Sequence, residues 1–370
     1  MNYIKTMVRS VLSISVLTAC LSQASDLSYT FTDIGSLGGP QTAAFDINNA
    51  GQIVGWSTRS KQKACVKISG DPVTCRFAFV YQAGMMTDLG SSHPDSIEST
   101  AVAINKHGDI VGNEHFIGNI NGMRHSSYHA FFVEQGQVVP LPFSSTKQSP
   151  SSQAFDINDH GYIVGWIENN DDKDVMVEWQ NTHSDAQIKH EHKAFFRRAS
   201  ATNNLGDVVG MEYERYSYKP NRAFIQTSKG VSLLLKSDSI WTEANEINDY
   251  GMIAGAQAPK AFRPSQATIW YPSITGGLAA HVVGGIGDSE RELSAFKDIN
   301  KRGTAVGMSS NPDRGSLAIV YYKGELIDLN TVTDVPGTLL EATAINDHGD
   351  IVGLYRDVNN HTRGFVLKQR

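Results

Sequence analysis

The feature that most constrains this chain is a motif, N-x-x-G-x-x-x-G, that recurs seven times, anchored at Asn48, Asn105, Asn158, Asn203, Asn248, Asn300 and Asn346. The segments AFDINNAGQIVGW, AVAINKHGDIVGN, AFDINDHGYIVGW, ASATNNLGDVVGM, ANEINDYGMIAGA, FKDINKRGTAVGM and ATAINDHGDIVGL are one unit. Every copy keeps both glycines; Ala stands four residues before the Asn except at Phe296, and Ile directly before it except at Thr202. Such a unit cannot bury its own apolar face, so its copies must stack or circle. Successive anchors lie 57, 53, 45, 45, 52 and 46 residues apart. A β-helix coil needs a far shorter period, whereas about 40 to 50 residues suits a four-stranded propeller blade.

Each unit reads as strand, turn, strand. Asn hydrogen-bonds the backbone of its own turn, and the first Gly supplies positive φ at little cost. The alternation Gln52-Ile53-Val54-Gly55-Trp56 makes the second strand, whose Gly lets a backbone or a bulky ring approach closely. A third strand carries a polar residue, Ala and usually Phe, as at His129-Ala130-Phe131, Lys193-Ala194-Phe195 and Arg222-Ala223-Phe224. A Gly turn and a fourth strand follow, clearest in QAGMMTDLG and YKGELIDLN. The expected fold is therefore an all-β, seven-bladed β-propeller.

The last unit stops after its third strand, while the mature N-terminus opens with YTFTDIGSLGG, which matches the fourth-strand sequence of the first unit. The N-terminal strand is thus expected to complete the last blade and leave no open edge. The third unit is irregular, because no fourth strand fits between Phe196 and Asn203. Either residues 175–180 supply its third strand or the blade is degenerate.

These residues resemble the HAF-type extracellular repeat proteins of bacteria, named for the triplet found here at His129 to Phe131. The run TDIGSLGGPQTAAFDINNAGQIVGW is similar to their typical unit almost residue for residue, over nearly all of the mature chain. The resemblance implies export and a repeat β fold. It carries no activity and no catalytic residues.

Residues 1–24 read as an export signal, with Lys5 and Arg9 before the apolar run Val11 to Ala19. Leu17-Thr18-Ala19-Cys20 forms a lipobox that would lipidate Cys20, and Ser22-Gln23-Ala24 offers an ordinary cleavage site. The remaining residues, 25–370, form one seven-repeat domain, expected to be a monomer without a transmembrane segment, secreted, periplasmic or anchored by lipid at the outer membrane. Cys65 and Cys75 suit a disulfide across a turn-containing loop in an exported chain. A net charge of −6 and a pI near 6.0 provide no field for phosphate backbones, which excludes nucleic acid as a partner.

The Asn turns never change length, whereas the loops between second and third strands do: residues 57–74, 114–128, 168–193, 212–221, 257–265, 309–316 and 355–362. Insertions confined to one face mark a binding face. Candidate ligand-holding residues there are His115, His125, Tyr213, Arg215, Tyr216, Tyr218, Arg263 and Arg356, with Arg124 and Arg314 beside them. Rings and charged hydrogen-bonders suit a glycan, a peptide or a protein surface. Asp46, Asp156, Glu246 and Asp298 stand two residues before the Asn and could ring the channel around Ca²⁺, or accept backbone N–H groups of the turns. His183, His190 and His192 surround Glu191 without a zinc motif. The expected function is ligand binding on the variable face. The alternative is a secreted polysaccharide hydrolase or lyase with Glu243, Glu290, Glu292 and Glu341 at the channel mouth.

Overall fold

Each Asn motif is the hairpin turn between the two innermost strands of a four-stranded antiparallel sheet, and there are seven such sheets. The structure is a computed structural model. It describes residues 27–370 except 61–64, 67–71, 74, 121–122, 147–149, 169–173, 181, 191–195, 214–220, 231, 236–240, 259–263, 274–276, 288–291, 312 and 314.

Counted from the inside outward, blade 1 holds Gly38–Ile47, Ile53–Arg59, Phe77–Gln82 and Met85–Asp88. Blade 2 holds Ser96–Ile104, Ile110–Ile120, Met123–Glu134 and Gln137–Pro140. Blade 3 holds Ser152–Ile157, Ile163–Glu168, Asp174–Trp179 and Gln187–His190. Blade 4 holds Phe196–Thr202, Val208–Tyr213, Arg222–Gln226 and Ser232–Leu234. Blade 5 holds Trp241–Ile247, Ile253–Ala258, Gln266–Pro272 and Leu278–Gly284. Blade 6 holds Leu293–Ile299, Ala305–Asn311, Gly315–Tyr322 and Glu325–Asp328. Blade 7 takes Gly337–Ile345, Ile351–Asp357 and Thr362–Gln369 from the C-terminus and its outermost strand, Tyr29–Asp33, from the N-terminal side. The two termini pair from Tyr29↔Gln369 to Asp33↔Phe365, the expected splice.

The core is partitioned by the seams. Each of the seven buried apolar clusters joins two adjacent blades, from Val54, Ala78 and Phe131 between blades 1 and 2 to Ala344, Val352 and Ala44 between blades 7 and 1. The repeat explains the packing. In blades 1, 2, 4 and 7 the motif's second Gly pairs with a third-strand Phe, as Gly112 with Phe131, and a Cβ there would stand 2.2 Å from the Thr100 carbonyl and 2.3 Å from the Phe131 ring. Ala on the inner strand leaves room beside that Phe. Blade 6 inverts the volumes: Phe296 takes the Ala position and Ile319 the Phe position, both fully buried in one cluster. A volume-conserving exchange of this kind keeps the seam filled.

Of the two alternatives for the third unit the first holds: Asp174–Trp179 is its third strand and Gln187–His190 its fourth. The third-strand place expected for Lys193-Ala194-Phe195 is taken by Asp174–Trp179; the triplet itself lies outside the described residues. In unit two, most of residues 114–128 is not a loop; the second and third strands run on as a long hairpin, paired out to Ile120↔Met123.

Candidate functional site: the channel and its two mouths

At one end of the channel, the seven Asn residues form a closed circle. Every turn has the same bonds: in the first, the Asn48 carbonyl accepts the Gly51 N–H at 3.0 Å, and Asn48 Oδ1 accepts the N–H groups of Ala50 and Gln52 at 3.0 Å. Its free amide then reaches the next blade. Asn48 Nδ2 donates to the Asn105 carbonyl at 3.0 Å, Asn105 to Asn158 at 3.1 Å, Asn158 to Asn203 at 2.9 Å, and Asn203 to Asn248 at 3.2 Å. Asn248 donates to Asn300 at 2.9 Å, Asn300 to Asn346 at 3.1 Å, and Asn346 back to Asn48 at 3.2 Å. The local turn was readable in the sequence; this arm between repeats was not.

Just inside the circle lie Asp46, Asp156, Glu246 and Asp298, which line a cavity of about 290 Å³. Their spacing has a simple cause. Each Asp has two oxygens and serves two blades. Asp46 accepts the N–H of Ile47 at 2.7 Å and of Ile104 at 2.8 Å; Asp156 accepts those of Ile157 and Thr202, both at 2.7 Å; Asp298 accepts those of Ile299 at 2.5 Å and Ile345 at 2.6 Å. In each pair the following blade carries Ala at the acidic position: Ala103, Ala201 and Ala344. Seven blades cannot be divided into pairs, and blade 5 keeps its own acid, Glu246, which accepts the Ile247 N–H at 2.9 Å. Burial pushes Asp46 up to about 6 and Asp156 and Asp298 to about 7, against the opposing pull of their N–H partners. Burial also holds Glu246 well above the carboxylate range, reinforced by the charges of Asp156 and Asp298. Among the described residues, no group of three or more His, Cys, Asp or Glu is arranged to hold a metal ion.

The outer rim of this mouth repeats the device with residues that follow the Asn. Lys106 N–H donates to Asp159 at 3.0 Å, Asp159 N–H to Asn204 at 2.8 Å, and Asn204 N–H to Asp249 at 2.9 Å. Lys106 and Lys301 also pair with Asp159 and Asp347, at 3.3 and 3.2 Å.

The opposite mouth, on the loop face, has no such uniformity. At the seam between blades 3 and 4, the Arg198 guanidinium stands 5.6 Å over the Tyr213 ring and 5.5 Å over Trp166. Arg198 Nη2 bonds Asp174 at 2.6 Å and the guanidinium also bonds Tyr213, while its buried Nε has no hydrogen-bond partner among the described residues. Tyr213 stacks on Phe196 at 5.6 Å, and Trp166 donates to Gln153 at 3.0 Å. On blade 1, Arg76 covers Trp56 at 4.6 Å. A planar cation against flat rings can hold a sugar face, a carboxylate or a peptide side chain. Within the channel, Lys297 of blade 6 lies 3.6 Å from Glu341 of blade 7. Glu243 of blade 5 is raised by burial, with Lys297 pulling it down.

Among the described residues, the expected ligand residues lie on three separate blades. Tyr213 ends the second strand of blade 4; His115 and His125 lie on the long hairpin of blade 2; Arg356 is exposed on blade 7. Arg215, Tyr216, Tyr218, Arg263, Arg314, Glu290, Glu191 and His192 lie outside the described residues. Sequence reading missed Arg198 and Trp166, although the VGW ending shared by Trp56 and Trp166 was a signal. Glu292 proves to be a structural acid, buried and bonded to the Gly287 N–H at 2.7 Å and the Ser309 hydroxyl at 2.7 Å. Among the described residues, no helix is long and apolar enough to cross a membrane.

A family model described as "Protein of unknown function (DUF3466)" matches residues 18–263. No curated protein is similar to the chain. Among solved structures, a Mycobacterium tuberculosis puromycin-hydrolyzing peptidase is 10% identical with a TM-score of 0.54, over 92% of this chain and 50% of that one, so this chain spans half the length of the peptidase. A polysaccharide lyase, the PL25 ulvan lyase bound to its saccharide, is 10% identical with a TM-score of 0.47, over 91% and 94%. The β-propeller domain of the Trilobed protease from Pyrococcus furiosus is 10% identical with a TM-score of 0.37, over 79% and 97%. Likeness at this identity concerns the fold alone.

Proposed function

The chain belongs to the DUF3466 family, whose description carries no activity, and from the site itself we propose a binding protein that holds a glycan, a peptide or an envelope protein on the loop face of a rigid ring. The observation that supports this reading is Arg198 at the seam of blades 3 and 4, its side chain 43% exposed and set against Trp166 and Tyr213. The other mouth is closed around its own backbone bonds, so recognition falls to the face where blades differ. An Arg198→Ala/Tyr213→Ala chain is expected to lose capture at least tenfold on glycan and peptide arrays, with its β circular dichroism unchanged. Undiminished capture by that folded variant would refute the placement.

A second reading, polysaccharide hydrolysis or elimination, is favoured by Glu243 and Glu341 meeting at Lys297. One carboxyl is raised and the other ion-paired, a division suited to acid and base roles. Depolymerisation lost in both Glu243→Gln and Glu341→Gln would support it, and no depolymerisation by the wild type would remove it.

The same proposal includes export of a HAF-type repeat protein through residues 1–24, with Cys20 lipidated or removed, and a Cys65–Cys75 disulfide. The backbone supports the disulfide: Cys65 pairs with Val73 in a two-stranded ladder, and Cys75 is buried two residues further on. Mass spectrometry of the mature chain reads both features.

A further inference from the structure

The long hairpin of blade 2 carries an arrangement that ligand binding does not require. Ser126 Oγ lies 2.7 Å from His115 Nε2, and the other ring nitrogen, Nδ1, faces Glu98 Oε2 at 3.6 Å. Strand pairing places them together: Glu98 pairs with His115 and His115 with Tyr128, while Ser126 lies two residues from Tyr128 on the same face. The His115 ring is stacked on Tyr128, with centroids 4.6 Å apart and planes 11° apart, so its direction is fixed. His115 Nδ1 is buried and has no hydrogen-bond partner among the described residues, and Ser126 is exposed. When Nε2 accepts the Ser126 proton, Nδ1 must carry the ring hydrogen, and the carboxylate that faces it is Glu98. Nucleophile, base and orienting acid are thus in order, with the last contact still long, as such contacts often are in a free enzyme.

A cleft of about 470 Å³ opens beside the hairpin; it is lined not by Ser126, His115 or Glu98 themselves but by their strand neighbours. Its walls include Ile97, next to Glu98, and Ile117, which pairs directly with Ser126. Pro94 and Phe116 complete the apolar side. The wall also carries His93, Asp95 and Ser96, and its apolar side would suit the short acyl or alkyl group of a carboxylic ester.

We propose that Ser126, His115 and Glu98 form a serine esterase site on the blade 2 hairpin. The Ser126 oxygen adds to the ester carbonyl as its proton passes to His115 Nε2. That proton goes to the departing alkoxide when the C–O bond breaks, leaving an acyl group on Ser126. Water then adds to the acyl carbon, giving one proton to His115, and the acid leaves as Ser126 recovers that proton. Ser126 and His115 are the catalytic residues, and Glu98 is a positioning residue that holds the Nδ1–H tautomer.

The test uses the full mature chain with a fluorophosphonate and with p-nitrophenyl acetate. One adduct per chain, mapped to Ser126, is expected. Ser126→Ala should abolish it, and His115→Gln should slow it at least a hundredfold. Glu98→Gln is expected to lower ester turnover about tenfold and to move the lower limb of its pH profile, which a merely structural loss would leave in place. Circular dichroism controls for folding in each variant. No adduct on Ser126 in the folded wild type, or labelling equally fast without His115, would overturn the proposal.

Discussion

Asn346 Nδ2 donates to the carbonyl of Asn48 at 3.2 Å across 298 residues of sequence, and that bond completes a circle of seven. The ring is therefore closed twice, at its inner edge by the Asn circle and at its outer edge by the Tyr29–Asp33 strand. One residue per blade shapes the turn and joins the next blade.

Asn158 tests this double role. Its Oδ1 accepts the N–H groups of His160 and Tyr162 at 2.9 and 3.0 Å while Nδ2 reaches Asn203. Asn158→Ala removes three bonds at a buried position and should destabilise the ring by about 3 kcal/mol in urea unfolding, at about 1 kcal/mol each. Asn158→Asp keeps the acceptor but loses the arm, and should also destabilise.

The acids of the channel set a pH dependence. Their folded pKa values, about 6 for Asp46 and about 7 for Asp156 and Asp298, stand above the ordinary value of 3.8. The folded ring therefore binds protons that the unfolded chain has released. This contribution to stability is fully present below about pH 4 and is lost as pH rises through about 6 to 7. The melting temperature is expected to be higher at pH 5 than at pH 8, and Asp156→Asn/Asp298→Asn should flatten that difference. Chelation with EDTA should leave it unchanged, because the acids answer backbone N–H groups.

Phe296 and Ile319 test the inverted seam. Phe296→Ala alone opens a cavity and should cost about 3 to 5 kcal/mol. Phe296→Ala/Ile319→Phe restores the volume order of blades 1, 2, 4 and 7 and should recover most of that loss. A double variant no more stable than the single would show that the two positions do not share one space.

How much of this could be read in advance depends on whether a residue acts within its repeat or between repeats. Gly51 and the Oδ1 of Asn48 act within one turn, so those roles were legible, as was the terminal splice from the match of YTFTDIG to a fourth strand, whereas the Asn48 Nδ2 arm to the next blade was not. The alternation of Asp with Ala at Asp46/Ala103 and Asp156/Ala201 was visible as a pattern, but its cause was not. The shared N–H partners come from the next blade. Blade 3 stayed open between two alternatives because Asp174–Trp179 lacks the Ala-Phe pair, while Lys193-Ala194-Phe195 imitates it. Arg198, Trp166 and Tyr213 converge from two blades, and no spacing within a single repeat encodes their contact.

The central claim is that structure is maintained at the Asn mouth and recognition occurs at the loop mouth. Hydrogen exchange on the mature chain, with and without the strongest partner from the glycan and peptide arrays, tests it most directly. Protection is predicted at the ends of blades 3 and 4 around Arg198 and Tyr213, with the seven Asn turns unchanged. Protection confined to the Asn48 to Asn346 turns would contradict the account.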